Sequence, residues 1–268
     1  MMPGGWRYAA ASVVGTSHEK LGGICQDAND CRVQLLPNGE TVFVAAVADG
    51  AGSASRGGDG AAKACSAFLN LANDYLSSGN GVAQISLDTA RSWIHEIRNA
   101  LGKEAEFISL DPREFACTLL GFVAGQSCTA CLQIGDGVIV VADAEERTYG
   151  HVFWPDRGEY ANTTHFVTED QAMEHLQFAA VQRHIVEAAL LTDGLQSVAL
   201  DYQQHTAHEP FFRGLFAPLK RIGEGRCDEL SRSLREFLSS HRVNEKTDDD
   251  KTLVLASRVN GSLSAHLE

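Results

Sequence analysis

Short apolar runs alternate with glycine-rich polar breaks along most of this chain. Val42-Phe43-Val44-Ala45-Ala46-Val47-Ala48 places seven apolar residues in succession, the pattern of a strand buried on both faces. It ends in Asp49-Gly50-Ala51-Gly52, where two glycines let the backbone turn tightly. Trp6 to Gly15 reads as an earlier strand. Asp30 to Leu36 reads as a partner of Thr41 to Ala48, joined through Pro37-Asn38-Gly39-Glu40, whose Asn-Gly is a hairpin signal. Ala61, Ala64, Cys65, Phe68, Leu71, Ala72 and Tyr75 then recur at helical spacing and predict a helix over about 57–77. Ala90, Trp93, Ile94, Ile97 and Leu101 predict a second helix over about 87–104. Two amphipathic helices in succession need a sheet face to cover.

Strands return at Phe115–Ala124, Cys128–Ile134 and Val138–Asp143, separated by Gly125-Gln126 and Gly135-Asp136-Gly137, and together they predict an antiparallel meander. Residues 144–185 show no clear period, and Trp154 to Tyr160 reads as an irregular excursion long enough to be a flap. A strand over Val186–Thr192, helices over about 210–222 and 226–240, and a closing strand over 251–258 complete the chain. With no linker-like stretch, the expectation is one domain over residues 1–268. Its class is α+β: a four-layer α-β-β-α sandwich of two mainly antiparallel sheets flanked by helices.

Composition changes this picture in two ways. A formal net charge of −13 over 268 residues argues against nucleic-acid or anionic-membrane partners and suits a collector of divalent cations. The seven cysteines are odd in number and form no paired framework, so they read as reduced core thiols. Cys128 and Cys131 have C-x-x-C spacing, but within a strand they point to opposite faces, which argues against a metal or redox role. With no secretory leader and no apolar run of 18 residues, a cytoplasmic location is expected.

An acid at the mouth of a buried strand is costly unless something positive meets it. For Asp49 alone, a turn aspartate bonded to its own backbone is the competing reading. The pattern recurs, however. Asp193-Gly194 follows one strand, Asp248-Asp249-Asp250 precedes another, Gln26-Asp27 precedes a third, and Asp136 lies between two more. Neighbouring antiparallel strands bring opposite ends together, so these acids can converge on one rim. Such an oxygen-rich rim suits Mg²⁺ or Mn²⁺. Two ions roughly 3.5–4 Å apart can align a water for in-line attack on a phosphate. No G-x-S-x-G elbow or phosphate-binding P-loop offers another chemistry.

The ordered pieces Cys25-Gln26-Asp27, Ala48-Asp49-Gly50-Ala51-Gly52, Thr118-Leu119-Leu120-Gly121, Ile134-Gly135-Asp136-Gly137, Leu191-Thr192-Asp193-Gly194 and Asp249-Asp250-Lys251-Thr252-Leu253 resemble the metal-dependent protein phosphatases of the protein phosphatase 2C type, in a compact bacterial form. The resemblance implies hydrolysis of phosphoserine and phosphothreonine with two Mn²⁺ or Mg²⁺ ions, and a third held more weakly. It implies a phosphoprotein substrate and a cognate Ser/Thr kinase as partners. It assigns Asp49 to bridge the metals, the Gly50 carbonyl to the first, Asp193 and Asp249 to the second, and Asp136 to the third. Asp27 acts beside the metals. For Asp136, a plain hairpin-turn aspartate is an equal reading.

Three departures accompany the resemblance. The family's phosphate-binding Arg position holds Gly22, and Arg56 is the preferred substitute ahead of Lys20 and His18. The family's general-acid His is Ala51, which leaves leaving-group protonation to a metal-bound water or to His18. The usual Asp-Asn pair is Asp249-Asp250; Asp249 is taken as the ligand because Thr252 and Leu253 keep the family spacing behind it. Gly22 and Ala51 also motivate an alternative, a catalytically weak phosphatase-fold module that binds a partner. A calcium-stabilised structural domain is a weaker alternative, because the acids are not packed into one D-x-D-x-D-G loop. His205 and His208 read as surface residues, and Phe211, Phe212, Leu215 and Phe216 as helix-packing material.

Overall fold

A computed structural model describes residues 5–146, 148–155 and 164–259. Its longer strands are β1 (Trp6–Val13), β2 (Ala28–Leu35), β3 (Thr41–Ala48), β4 (Leu119–Ala124), β5 (Thr129–Ile134), β6 (Val138–Asp143), β7 (Gln177–Val181), β8 (Ile185–Leu191) and β9 (Lys251–Arg258). The helices used below are α1 (Thr16–Lys20), α2 (Gly57–Ser77), α3 (Leu87–Phe107), α4 (Glu209–Leu219) and α5 (Asp228–Leu238).

Two sheets form. One runs β2-β3-β4-β5-β7. The other runs β1-β9-β8-β6, with the two-residue strands Gly225–Arg226 and Gly150–His151 at its edges. All the pairings between longer strands are antiparallel. Three apolar layers hold the stack. Phe68, Leu69, Trp93 and Ile97 join α2 and α3 to Val42, Val44 and Val123 of the first sheet. Trp6, Phe43, Phe122, Leu190 and Val254 fill the space between the sheets. Phe212, Phe216, Leu234 and Leu238 seat α4 and α5 on Ala9, Val140 and Leu255. The four-layer α-β-β-α sandwich is therefore present. β3 is apolar throughout because residues of both parities are needed: Val42, Val44 and Ala46 face the helices, while Phe43, Ala45 and Val47 face the other sheet.

The antiparallel meander expected over 115–143 is only half right. β4 and β5 pair, but β6 leaves for the other sheet and pairs with β8. Gly135-Asp136-Gly137 thus crosses between sheets. Gly135 sits at φ +103°, a conformation that favours glycine. The buried Gln133 side chain spans the crossing, donating from Nε2 to the carbonyls of Gly135 (3.0 Å) and Gly137 (2.9 Å). The strand expected from Phe115 begins at Leu119 instead. Asp111 caps a 3-10 turn over Pro112–Phe115 by accepting from the Arg113 amide at 2.9 Å, so this stretch is committed before the sheet begins. Residues 144–185 supply an edge strand to each sheet, Gly150–His151 and β7. Of the expected flap, Trp154 and Pro155 are described, and 156–160 lie outside the described residues. Cys128 and Cys131 belong to different apolar layers, as their spacing on a strand requires, and all seven cysteines are unpaired.

Candidate metal centre

Strand register assembles the acids. Ala28 pairs with Ala48, so one step further Asp27 lies opposite Asp49. Val138 pairs with Leu191, so two steps further Asp136 lies opposite Asp193. Leu253 pairs with Leu191, which brings the Asp248–Asp250 lead-in of β9 to the same end as Asp193. The first pair belongs to one sheet and the others to the second. The rim therefore lies where the ends of the two stacked sheets meet.

Close backbone packing makes room for it. A Cβ on Gly50 would collide with the Gly57 carbonyl group, and one on Gly194 with the Asp250 carbonyl oxygen. The Asp49-Gly50 turn is tied to its neighbours by backbone bonds: the Gly50 amide donates to Gln26 O (3.2 Å), and the Thr118 amide donates to Asp49 O (2.8 Å). Thr118 Oγ1 accepts from the Asp49 amide at 2.9 Å.

The electrostatics are those of crowded carboxylates. Asp27 is buried, and loss of solvent pushes its carboxyl up to about 7, against the opposing pull of hydroxyls from Thr192 and Thr252. Burial likewise raises Asp193 to about 7, helped by the charges of Asp136 and Asp249. Asp49 is raised well above the usual carboxylate range, by burial first and then by Asp27, Asp193 and Asp249. Thr192 Oγ1 donates to Asp27 Oδ2 at 2.8 Å and accepts from the Thr252 amide at 3.0 Å, locking one carboxylate oxygen. The other, Asp27 Oδ1, is buried without a hydrogen-bond partner. Such an orphaned acceptor among raised carboxyls fits a bound cation. Among the described residues, no three acidic, His or Cys side chains already stand at ligand spacing around one point. The donors are gathered, and final closure to ligand distance would come with the ion.

Asp249 and Asp250 divide the labour. Asp249 lies close enough to Asp49 and Asp193 to raise both. Asp250 is buried and committed to structure: Oδ1 accepts from the Gly15 amide (2.6 Å), and Oδ2 from the Gln26 amide (2.5 Å). His18 Nδ1 lies 3.1 Å from Asp250 Oδ1, and a Cβ on Gly52 would lie 4.0 Å from His18 Nε2. His18 is therefore strung between the acid lead-in and the turn that follows Asp49. Asp136 accepts from Thr164 Oγ1 at 3.0 Å, and its carbonyl accepts from Gln196 Nε2 at 2.6 Å. Arg56 stands at the start of α2 with Nε 2.9 Å from Asp59 Oδ2, both side chains well exposed. Gly22 has φ +72°, a left-handed conformation in which an Arg would be strained.

Sequence reasoning gave no role to Thr118, Thr192 or Lys251. The buried Lys251 directs Nζ to Asn244 Oδ1 (3.1 Å) and to the Asp249 carbonyl (3.0 Å), bracing the lead-in from below. Lys251 directly follows an acid, and Thr192 ends a predicted strand. A rule that strand-end hydroxyls beside buried acids serve as their donors would have found Thr192, whereas Thr118, which accepts from the Asp49 amide, fell inside a predicted strand.

Residues 14–239 match the protein phosphatase 2C family. Serine/threonine-protein phosphatase 3 of Escherichia coli (strain K12) is 39% identical over 257 residues, covering 94% of this chain and 98% of that protein. Among solved structures, the catalytic domain of the serine threonine protein phosphatase PstP, in complex with two manganese ions, superposes with a TM-score of 0.62 at 15% identity, over 96% of this chain and 99% of that one. PppA, a regulatory component of T6SS in Pseudomonas aeruginosa, gives a TM-score of 0.60 at 18% identity, over 96% and 99%. At these identities the structural likenesses establish the fold.

Proposed function

The chain belongs to the protein phosphatase 2C family, and from that premise we propose the roles of its residues in hydrolysing phosphoserine and phosphothreonine. It is a metal-dependent protein-serine/threonine phosphatase that uses Mn²⁺ or Mg²⁺. The ions, when bound, supply charge neutralisation and an acidified water for attack on phosphorus. Asp49 and the Gly50 carbonyl, Asp193 and Asp249 would hold two of them, and Asp136 a third. The observation that carries this reading is the convergence of Asp27, Asp49, Asp193 and Asp249, from both sheets, onto one rim, where crowding and burial raise the carboxyls of Asp27, Asp49 and Asp193.

Asp27, set against the Asp49 carboxyl, would orient the attacking water while Thr192 fixes its Oδ2. His18, whose Nδ1 lies 3.1 Å from the Asp250 carboxylate, would protonate the departing seryl or threonyl oxygen from Nε2. An exposed Arg–Asp pair is worth only about 0–1 kcal/mol, so Arg56 can leave Asp59 for an incoming phosphate at small cost. Because the ligands come from both sheets, residues 1–268 are read as one catalytic unit. Seven unpaired thiols suit a reducing compartment, and we place the protein in the cytoplasm, opposite a Ser/Thr kinase. Among the described residues, no helix is long and apolar enough to cross a membrane. The complete acid set does not favour an inactive module.

The test is turnover of p-nitrophenyl phosphate and a phosphothreonine peptide with Mn²⁺, after EDTA, and after Mn²⁺ is restored. Activity should vanish with EDTA and return with Mn²⁺. Turnover that survives exhaustive chelation rejects the mechanism.

A further inference from the structure

The loop from α1 to Asp27 carries two large aliphatic side chains in water, Leu21 at 86% exposure and Ile24 at 79%. A single exposed aliphatic residue needs no explanation. These two differ because their loop is built into the catalytic rim. His18 and Asp27 lie at its two ends. The Gly15 and Gln26 amides that flank it both end on the buried Asp250 carboxylate. Ser17 donates from its amide (2.9 Å) and Oγ (2.7 Å) to the Asp248 carbonyl. Inside the loop, the amides of Leu21 (3.0 Å) and Gly23 (2.9 Å) both donate to the His18 carbonyl. Gly22 turns the chain at φ +72°. The backbone is thus pinned to the acid lead-in and folded onto His18, while its apolar side chains are left uncovered.

A pre-ordered apolar shelf beside the reacting centre loses little entropy on binding. We infer that Leu21 and Ile24 form a substrate shelf that receives an apolar side chain of the phosphorylated polypeptide, within about four residues of the phosphorylated position, a span of about 14 Å in extended chain. This rests on the phosphatase reading above and adds a preference to it: phosphosites flanked by Leu, Ile, Val or Met are favoured over sites flanked by acidic residues. His18, Lys20 and Arg56 aside, the charged groups around the shelf are acidic, and an acidic flank would meet Glu19 and the carboxylates of the site.

Three substrates test it on wild type and on Leu21→Ser/Ile24→Ser: p-nitrophenyl phosphate, a phosphothreonine peptide flanked by Leu, and the same peptide flanked by Asp. Wild type should favour the Leu peptide by about tenfold in kcat/KM, the order expected for burying one aliphatic side chain. The double variant should lose that preference and keep its p-nitrophenyl phosphate turnover. Equal handling of the two peptides by wild type overturns the shelf. So does equal loss of all three substrates in the variant, which would make the loop merely structural. Binding of labelled peptides bearing a non-hydrolysable phosphonate, read by fluorescence anisotropy, separates the two layers. A Leu preference in binding that the variant abolishes supports the shelf even if wild type turns over nothing, in which case only the phosphatase reading falls. Binding without preference overturns the shelf whatever the turnover.

Discussion

The two ends of strand β8 carry buried or nearly buried carboxylates in opposite circumstances. Near its start, Glu187 accepts from Tyr149 Oη at 2.5 Å and is ion-paired with Lys220 Nζ, and Arg7 lies near enough to feel its charge. Just past its end, Asp193 meets Asp136, Asp249 and Asp49. Glu187 is compensated by the protein itself; Asp193 faces its own kind. A fold that can satisfy a buried acid at one end of a strand leaves acids crowded at the other, which locates the place where the missing positive charge must come from outside. The acid rim trades stability for function, as binding sites commonly do.

Substitutions at the two ends should separate activity from stability. Asp49→Asn should lower Mn²⁺-dependent turnover of p-nitrophenyl phosphate by about 10³-fold or more, since it alters the proposed shared metal ligand. Calorimetric titration with Mn²⁺ should show the matching loss of binding. Glu187→Gln should do the reverse. It leaves Lys220 without its counter-charge and costs about 2 kcal/mol in urea unfolding, discounted for the half-exposed lysine, with kcat at 25 °C unchanged. A large loss of turnover in Glu187→Gln would mean that the two ends are not independent.

Smaller effects sharpen the contrast within the rim. Thr192→Val deletes the donor to Asp27 and the acceptor of the Thr252 amide, and should reduce kcat about tenfold, the equivalent of a lost hydrogen bond to a charged group. Arg56→Ala should raise KM for a phosphate ester about threefold to tenfold with kcat nearly constant; an unchanged KM removes Arg56 from phosphate binding. The last effect concerns pH. Asp27 and Asp193 keep their protons in the folded, metal-free protein up to about 7, whereas the unfolded chain releases them near 3.8. Between those values the folded state binds more protons, so these groups contribute stability at low pH that is lost as pH rises towards 7. Metal-free Asp49→Asn should accordingly gain in Tm over wild type by a few degrees as pH goes from about 5 to about 7.5. Added Mn²⁺ should raise the wild-type Tm more at the higher pH, where it no longer competes with protons.

Local chemistry made much of the fold legible in advance. The spans of α2 and β3 follow from uninterrupted patterns: Ala61, Ala64, Phe68 and Ala72 on one helical stripe, and seven apolar residues buried on both faces. Where local signals misled, a competing local or distant partner had won. Asp111 and Pro112 claimed the residues before β4 for a capped turn. β6 read as the third strand of a meander because Gly135-Asp136-Gly137 has the composition of a hairpin turn, yet its partner β8 lies some fifty residues away in the other sheet. β7 was missed because it is a short edge strand with only partial burial, and so lacks strong periodicity.

The chain alone marked the candidate residues: the acids at strand ends, their flanking glycines and the lack of a side-chain nucleophile motif are all local facts. Only the tertiary structure decided how those residues are used. Asp249 and Asp250 are identical side chains one position apart, and alternation along the chain sends one towards Asp49 and Asp193 and the other to the Gly15 and Gln26 amides. Arg56 rests on Asp59, while His18 lies beside the Asp250 carboxylate. The reason is physical: strand-end acids from two sheets meet through long-range register and stacking, which depend on partners more than 200 positions apart, and no local pattern records that distance.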